Sequence, residues 1–259
     1  MPPLPSVHCR VMRHLPVTGS TNADLAKLAL SESETPEGFV FLADRQTAGK
    51  GRQGRSWTAP PDSGLTFSVL FRPAISPLRA STFPLVVGLA VAEAVQPLVP
   101  ETKVALKWPN DLQISGKKLC GVLCEMRADG DAVRHLIAGI GLNVNLDPEA
   151  LPPETAAIAT SLRAATGRAF DRMDVLSRIL ASLDTAYTRW LADGFADLLP
   201  DLLPRDALLG KRITVDRGSG PVSGTAAGIA PDGALILAHD DGTVESVYSG
   251  DAHIRRDAT

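Results

Sequence analysis

The chain has 259 residues, of which 44% are hydrophobic and 21% charged, and its formal net charge is −3. This length can hold one large domain, or one large and one small, with a substantial buried core. The slight acidity argues against general nucleic-acid binding, and three cysteines without C-x-x-C spacing argue against a disulfide framework or a zinc site.

The first elements are a strand and a helix joined by a short polar segment. Apolar residues predict a strand at residues 10–15 and a helix at residues 23–30. Between them lies Ser20-Thr21-Asn22. By residue type this segment is most simply a helix N-cap, but three hydroxyl and amide side chains at one helix start can also hydrogen-bond a small polar ligand.

A strand pattern at residues 39–42 leads to a basic loop, which we define as residues 49–57. The loop contains three glycines and the cations Lys50, Arg52 and Arg55. Glycine lets the backbone approach a ligand closely, and the cations can make charge-assisted hydrogen bonds to phosphate or carboxylate oxygens. The sequence therefore predicts an anion site, with a solvated basic loop as the alternative.

The basic loop also fits the pattern G-x-G-x-x-G of dinucleotide-binding domains, which requires a helix directly after the glycines. Here Pro60 and Pro61 follow, and they prevent a helix whose N-terminus could hold a pyrophosphate. A Rossmann domain is therefore disfavoured. We expect a flexible lid that becomes ordered around a nucleotide phosphate.

The middle of the chain is predicted to form a buried helix and several strands. A strand pattern at residues 65–71 precedes an apolar helix at residues 83–97. The strongest apolar run, residues 83–95, is too short to span a bilayer, and no secretory signal opens the sequence, so we expect a cytoplasmic protein. Turn residues separate further strands at residues 104–107, 112–115, 119–126 and 135–144.

Two strand ends in this region carry residues that are candidates for binding or catalysis. Lys107 lies at the end of an apolar strand, just before a rigid Pro-Asn-Asp turn. It is either an exposed lysine or a cation held in a partly apolar pocket. The segment 139–145 reads Gly-Ile-Gly-Leu-Asn-Val-Asn. Glycine inside a strand marks either close approach by a ligand or a bulge.

The last third begins with a helix at residues 173–192, whose start is marked by Asp171 or Asp174. Two prolines break the pattern at residues 198–204, which predicts a domain boundary. Short strands at residues 213–215, 221–229, 234–238 and 244–248 then indicate a small β-barrel. We expect an α+β domain at residues 1–200 and a barrel domain at residues 207–259.

Five segments, taken together and in this order, resemble a biotin–protein ligase over nearly the whole chain. They are Ser20-Thr21-Asn22 and residues 46–57, 107–112, 118–125 and 139–145. The likeness is to the short, monofunctional type without a DNA-binding domain. Lys50 and Gln53 depart from the arginine-rich form of the basic loop, and Lys50 keeps the charge without the bidentate geometry of arginine.

The resemblance implies a mixed-sheet catalytic domain of the biotin/lipoate ligase type followed by an SH3-like β-barrel. It implies that ATP and Mg²⁺ convert biotin to biotinyl-5′-adenylate, and that biotin then passes to a lysine of a biotin carboxyl carrier protein. It also implies no nucleic-acid partner, no membrane and a homodimer built through a sheet edge. Mg²⁺ would bridge phosphate oxygens, with no dedicated protein ligands.

The resemblance also assigns roles to individual residues. Arg52 and Lys107 are expected to be catalytic, contacting the biotin carboxylate and the α-phosphate, with Arg55 and Lys50 nearer the leaving pyrophosphate. The remaining expected substrate-binding residues are Asn22, then Ser20, Thr21 and Gln46 around the ureido ring, Gly121 and Gly139 along the biotin pocket, Trp57 and Asn143 at the adenine, and Arg255 at the nucleotide.

Two other functions fit parts of the same pattern. A lipoate ligase or octanoyltransferase resembles this fold but handles a linear acyl chain; residues 107–111 and the short C-terminal barrel favour biotin. A nucleotide-sensing or nucleic-acid-binding module could use the basic loop without catalysis, but the net acidity and the few aromatic residues argue against it.

Overall fold

A mixed seven-stranded sheet forms the centre of the larger part of the molecule, with strand order β1-β2-β3-β7-β6-β5-β4. The computed structural model describes residues 11–31 and 35–255, so Cys9 and residue 10 of the predicted first strand lie outside the described residues. The strands are β1 (Val11–Thr18), β2 (Phe39–Gln46), β3 (Gly64–Phe71), β4 (Val104–Lys107), β5 (Asp111–Ile114), β6 (Lys117–Asp129) and β7 (Ala132–Asn143). Only β1 and β2 pair in parallel, and the other neighbours are antiparallel.

Helices cover the sheet on both faces. The helices are α1 (Thr21–Ser31), α2 (Pro77–Ala80), α3 (Phe83–Val95), α4 (Pro153–Ala156), α5 (Leu162–Thr166), α6 (Arg172–Asp193) and α7 (Leu199–Leu202). Short 3₁₀ turns connect several of these elements. The predicted α+β class and mixed sheet are confirmed.

The larger core lies between the sheet and the paired helices α3 and α6. Three aromatic side chains, Phe83, Tyr187 and Trp190, pack together there, and the Trp190 Nε1 donates to Thr82 Oγ1 at 3.0 Å. The stretch Pro77–Leu98 is long and apolar enough to cross a bilayer by length and composition, but most of it is buried within the fold. Its apolar character is therefore explained by core packing.

The opposite face of the sheet is only partly covered. Helix α1 packs Leu25 and Ala29 against Phe41, Leu70 and Ile137, which forms a smaller core. Next to this core, Gly139 and Gly141 of β7 and Gly121 of β6 take the place of larger side chains. This part of the sheet surface is left open beside the start of α1, and it positions the candidate site.

Five antiparallel strands form a second sheet with order β11-β10-β9-β8-β12. They are β8 (Arg212–Arg217), β9 (Gly220–Ile229), β10 (Leu235–Ala238), β11 (Val244–Val247) and β12 (Asp251–Ile254). The small β domain expected at the C-terminus is confirmed, with one strand, β12, that the sequence did not predict. Within the described residues no ladder closes β11 onto β12, so the expected barrel is seen as a five-stranded sheet.

The predicted boundary at residues 198–204 is a chain of short helical turns. A 3₁₀ turn at Phe195–Leu198, helix α7 and another 3₁₀ turn at Leu203–Arg205 follow one another. Pro200 and Pro204 stand in the first turns of the last two, where the missing N–H group costs no hydrogen bond. The prolines therefore begin new helical turns at the predicted boundary.

Replacing Asp171 by alanine should lower the free energy of unfolding by about 1 kcal/mol, because Asp171 caps α6. Its carboxylate accepts hydrogen bonds from the backbone N–H groups of Met173 (2.7 Å) and Asp174 (3.1 Å). Denaturant unfolding measures the loss. Asp174→Ala is the matched control, since this residue caps nothing and should lose only a few tenths of a kcal/mol, about the value of a charge in the first turn. Equal losses in the two variants would contradict the assignment of the cap.

Candidate functional site

A cavity of about 110 Å³ lies on the open part of the sheet. Its walls come from the start of α1, the end of β2, the basic loop, β3, β6 and β7. Ten residues expected from the sequence line it: Ser20, Thr21, Asn22, Gln46, Lys50, Arg52, Arg55, Trp57, Gly121 and Gly139. Segments far apart in the chain therefore meet at one place.

Glycines form the floor of this cavity because other side chains lie directly on the backbone there. A Cβ atom at Gly139 would lie 2.8 Å from Asn22 Cγ, and one at Gly141 would lie 2.7 Å from Trp57 Cζ2. A Cβ at Gly121 would lie 3.2 Å from both Trp57 and Lys118. The sequence indicated either close approach or a bulge for this strand, and the close approach here is by the protein's own Asn22 and Trp57.

A hydrogen-bond network fixes the polar groups at the start of α1. Gln46 Oε1 accepts from the backbone N–H of Thr21 at 2.7 Å and from Thr21 Oγ1 at 3.0 Å. Both contacts use the side-chain oxygen of Gln46. The Nε2 group of Gln46, which is a hydrogen-bond donor, therefore points away from Thr21. Ser68 Oγ, which is fully buried, lies 2.7 Å from Thr21 Oγ1 and 2.6 Å from Asn22 Oδ1.

The simple N-cap interpretation of Ser20-Thr21-Asn22 explains only a small part of this arrangement. Ser20 Oγ accepts from the backbone N–H of Ala23 at 3.5 Å, which is a long contact. Thr21 and Asn22 instead turn toward β2, β3 and β6, and all three side chains line the cavity. The segment therefore presents a fixed set of donors and acceptors to the cavity.

The basic loop folds back on itself and contains a single 3₁₀ turn at Arg52–Gly54. Lys50 pairs with Ser56 in a β-bridge, and the Trp57 N–H donates to Gly49 O at 3.0 Å. As Pro60 and Pro61 led us to expect, no helix follows the glycines. The mobility predicted for this loop stays a prediction.

The second sheet holds the basic loop from outside. Arg55 Nη2 donates to both carboxylate oxygens of Asp251, at 2.9 and 2.8 Å. Arg52 Nη1 donates to Gly250 O and to Asn110 Oδ1, each at 3.3 Å. Burial lowers the pKa of Arg52, and Asp251 acts in the opposite direction, so the guanidinium stays charged inside the site.

A further cation, Lys118, lies in the cavity although the sequence analysis assigned it no role. Its Nζ is 2.7 Å from Asp111 Oδ1 and 5.7 Å from the centre of the Trp57 ring. The backbone of Lys118 pairs with the segment before α5, donating to Ile158 O at 2.6 Å and accepting from Thr160 N at 2.9 Å. Lys118 is thus held at the edge of the cavity by both its backbone and its side chain.

A bulge explains why the sequence did not predict the position of Lys118. Simple strand alternation puts Lys118 and Gly121 on opposite faces, because they are three positions apart. The register between β5 and β6 shifts after Leu112, which pairs with Cys120, whereas Gln113 pairs with Lys118. The extra residue turns Lys118 back to the face of Gly121.

Three expected site residues, Lys107, Asn143 and Arg255, are not among the described residues that line the cavity. Lys107 lies at the end of β4 opposite Asp111, where burial lowers its pKa. The buried Asn143 donates from Nδ2 to Thr160 O at 3.0 Å. Arg255 is exposed, and its backbone N–H donates to Arg212 O at 3.0 Å.

The arrangement can hold an elongated ligand with a polar end and an anionic end. Amide and hydroxyl groups of Thr21, Asn22 and Gln46 lie at the α1 side of the cavity. Four cations, Lys50, Arg52, Arg55 and Lys118, also line it. Such a set can bind a carboxylate and phosphate groups at the same time.

Comparisons with known proteins agree with this geometry. The chain matches the Biotin/lipoate A/B protein ligase family over residues 14–143 and the Biotin protein ligase C terminal domain over residues 208–255. It is 38% identical to the biotin–[acetyl-CoA-carboxylase] ligase of Mycobacterium tuberculosis over 243 residues, which is 92% of this chain and 87% of the relative. It is 35% identical to the bifunctional ligase/repressor BirA of Bacillus subtilis over 227 residues, 87% of this chain and 69% of the relative.

A solved structure shares the fold over most of the chain. The biotin protein ligase from Aquifex aeolicus in complex with biotin and ATP superposes with a TM-score of 0.79 at 31% identity, covering 96% of this chain and 100% of that protein.

Replacing Gly141 by alanine should push the Trp57 indole off the sheet, because the new methyl group would overlap the ring. We expect the Trp57 fluorescence to shift to longer wavelength and to become more accessible to acrylamide. Gly218→Ala is the control, since its Cβ would meet nothing within 4 Å. The same Gly141→Ala change in a Trp57→Phe background should leave the emission unaltered. Unchanged emission of Gly141→Ala with Trp57 present would contradict the contact.

Proposed function

The chain belongs to the biotin/lipoate A/B protein ligase family, and we propose that it is an ATP-dependent biotin–protein ligase. It joins biotin to AMP as biotinyl-5′-adenylate and then transfers biotin to a lysine of a biotin carboxyl carrier protein. One observation carries this proposal: a single cavity combines a fixed hydrogen-bonding network, a glycine floor and four cations. Family membership alone does not say which acyl group is bound.

The first half-reaction needs the cations for a physical reason. A carboxylate oxygen of biotin attacks the α-phosphorus of ATP, the new P–O bond forms, and the bond to pyrophosphate breaks. Both reactants are anions, so positive charge must bring them together and stabilise the charge that develops on the leaving pyrophosphate. Arg52 and Lys118 are our candidates for the carboxylate and α-phosphate, and Arg55 and Lys50 for the leaving group.

The polar end of the cavity suits a ureido group, which has two N–H donors and one carbonyl acceptor. The Gln46 amide group is available as a donor because its oxygen is already used by Thr21. The hydroxyls of Ser20 and Thr21 can complete the contacts. Asn22 packs on Gly139 and closes that side of the cavity. This set discriminates biotin from a linear acyl chain, which has no polar group to match it.

The nucleotide is expected near Trp57, whose indole lies against the glycine floor. The expected roles of Asn143 at the adenine and of Arg255 at the nucleotide require movement, because neither residue lines the cavity. Lys107 interacts electrostatically with Asp111 and Lys118. These neighbours support an electrostatic role for Lys107 more directly than they support contact between Lys107 and the substrate.

We propose that Mg²⁺ enters with the phosphates of ATP. No group of three His, Cys, Asp or Glu residues suited to a metal ion occurs within residues 11–31 and 35–255. Asp111, which lines the cavity, and Asp251, which pairs with Arg55, each form an ion pair with a cation. Mg²⁺ keeps several water ligands and is often held by substrate phosphates, so this residue set fits an ion carried by the nucleotide.

The partner is proposed to be the carrier subunit of a carboxylase, with no nucleic-acid partner and a cytoplasmic location. The names of the relatives support the carboxylase, and the net charge of −3 supports the absence of nucleic acid. The proposed homodimer is supported by exposed Val11 and Val17 on the edge strand β1. Light scattering of the purified protein tests it.

The domain division at residues 1–200 and 207–259 is proposed as well. The two family matches, over residues 14–143 and 208–255, support it. Both parts contribute to the site, because Arg52 donates to Gly250 O and Arg55 pairs with Asp251.

The proposed function predicts biotin-dependent exchange of labelled pyrophosphate into ATP. Exchange requires the reversible formation of the adenylate, so a module that only binds nucleotide would show none. Lipoate and octanoate, added in place of biotin, should give exchange at the background level. Exchange with lipoate or octanoate but not with biotin would replace the proposed function with that of a lipoate ligase.

Lys118 and Lys107 can be separated by one pair of variants. We expect Lys118→Gln to slow single-turnover adenylation by about 100-fold, the usual effect of removing one electrostatic contact to the transition state. Lys107→Gln should slow it only a few-fold, because this side chain does not line the cavity. Biotin affinity, measured by calorimetry, should change less than the rate in both variants. A larger effect of Lys107→Gln would restore Lys107 as the catalytic lysine.

A further inference from the structure

A second cavity, of about 400 Å³, lies against the basic loop. It is lined by Lys50, Gly51, Arg52, Gln53, Ser81, Pro84, Pro109, Asn110, Val122, Leu123, Cys124, Glu125 and Tyr248. These residues come from the loop, the segment at the start of α3, the turn between β4 and β5, β6 and the position directly after β11. The second cavity therefore shares the basic loop and β6 with the first one.

The two cavities share a wall. Six residues line both of them: Lys50, Gly51, Arg52, Asn110, Val122 and Leu123. Only one layer of residues therefore separates the second cavity from the place where the carboxylate and the α-phosphate are proposed to meet. A group that enters the second cavity therefore lies next to residues that also line the first cavity.

The second cavity follows the free edge of β6. Strand β5 pairs with β6 only as far as Gly121, and beyond it the described residues place no strand on that side. Val122 and Leu123 point to opposite faces of the strand, and both line the cavity. The cavity therefore passes around an open sheet edge, which leaves space for a side chain from another protein.

Charge is distributed unevenly in the second cavity. Glu125 is the one acidic residue among the described residues that line it, and it does not line the first cavity. Its Oε2 accepts a hydrogen bond from Asn22 Nδ2 at 2.8 Å, which holds the carboxylate in place. The cations Lys50 and Arg52 lie in the shared wall. An entering cation is therefore attracted by Glu125 and repelled closer to the reaction centre.

We propose that the second cavity admits the acceptor lysine of the carrier protein and that Glu125 binds its ammonium group. The inference rests on the proposed ligase function. The lysine stem would pack along Pro84, Pro109 and Val122, while the carrier protein stays outside near the exposed Tyr248. A long, thin side chain that ends in a cation fits both the shape and the charge of this cavity.

The charge pattern also explains how the lysine becomes a nucleophile. An ammonium group cannot attack, and the positive charge of Lys50 and Arg52 lowers the pKa of an amine brought next to them. One proton passes to the Glu125 carboxylate before attack. The neutral nitrogen then attacks the acyl carbon, the C–N bond forms, the C–O bond to phosphate breaks, and AMP leaves with the electron pair. The second proton leaves the nitrogen for solvent water.

Glu125→Gln tests the proposal because glutamine keeps an oxygen that can accept from Asn22 while it removes the charge. Enzyme carrying preformed biotinyl-adenylate is mixed either with biotin carboxyl carrier protein or with hydroxylamine, a small nucleophile that is uncharged at neutral pH. We expect transfer to the carrier protein to slow about tenfold or more, in line with loss of a contact to a charged group. Reaction with hydroxylamine should stay within about twofold of the wild-type rate, since it needs no carboxylate to accept its proton. Glu101→Gln, an exposed glutamate outside both cavities, is the matched control.

Ser81→Trp provides a second test that does not involve Glu125. Ser81 is exposed and lines only the second cavity, so a tryptophan there should obstruct it. We expect transfer to the carrier protein to slow while biotin-dependent pyrophosphate exchange continues. Wild-type transfer rates in both variants would overturn the proposal, as would equal slowing of adenylation and transfer by Glu125→Gln. Absence of exchange in the wild-type protein would instead reject the proposed function itself.

Discussion

The lack of a side chain at Gly121, Gly139 and Gly141 is the constraint on which the site depends. These positions lie on neighbouring strands, and Asn22 and Trp57 rest directly on their backbone. With any larger residue there, the amide of Asn22 could not reach Ser68 and Glu125 together, and the indole could not lie on the sheet. The floor therefore sets the position of both the polar end and the aromatic wall of the cavity.

The basic loop is positioned by parts of the chain almost 200 residues away. Arg55 pairs with Asp251, and Arg52 reaches Gly250, so the second sheet neutralises part of the loop charge in the absence of an anion. An arriving phosphate competes with these partners. This competition gives a physical reason for the small C-terminal sheet to matter in a reaction whose reactants we propose to lie on the other sheet.

Local patterns in the sequence predicted most of the fold and part of the site. Strand β4 was predicted with its full bounds, and the choice between Asp171 and Asp174 as the α6 cap needed only the backbone geometry. Residue order cannot reveal a bulge such as the one that turns Lys118 into the cavity, because it depends on pairing between β5 and β6. Strand β12 reads Asp-Ala-His-Ile, with one β-branched residue and no aromatic one, and its register with β8 defines it.

The most direct test of this account is a crystal structure of the protein with biotin and a non-hydrolysable ATP analogue. We expect the ureido ring next to Thr21 and Gln46, the carboxylate and α-phosphate between Arg52 and Lys118, and the second cavity still open beside Glu125. A nucleotide bound in the second cavity, or a biotin carboxylate pointing away from Lys118 and Arg52, would contradict the assignment of the site.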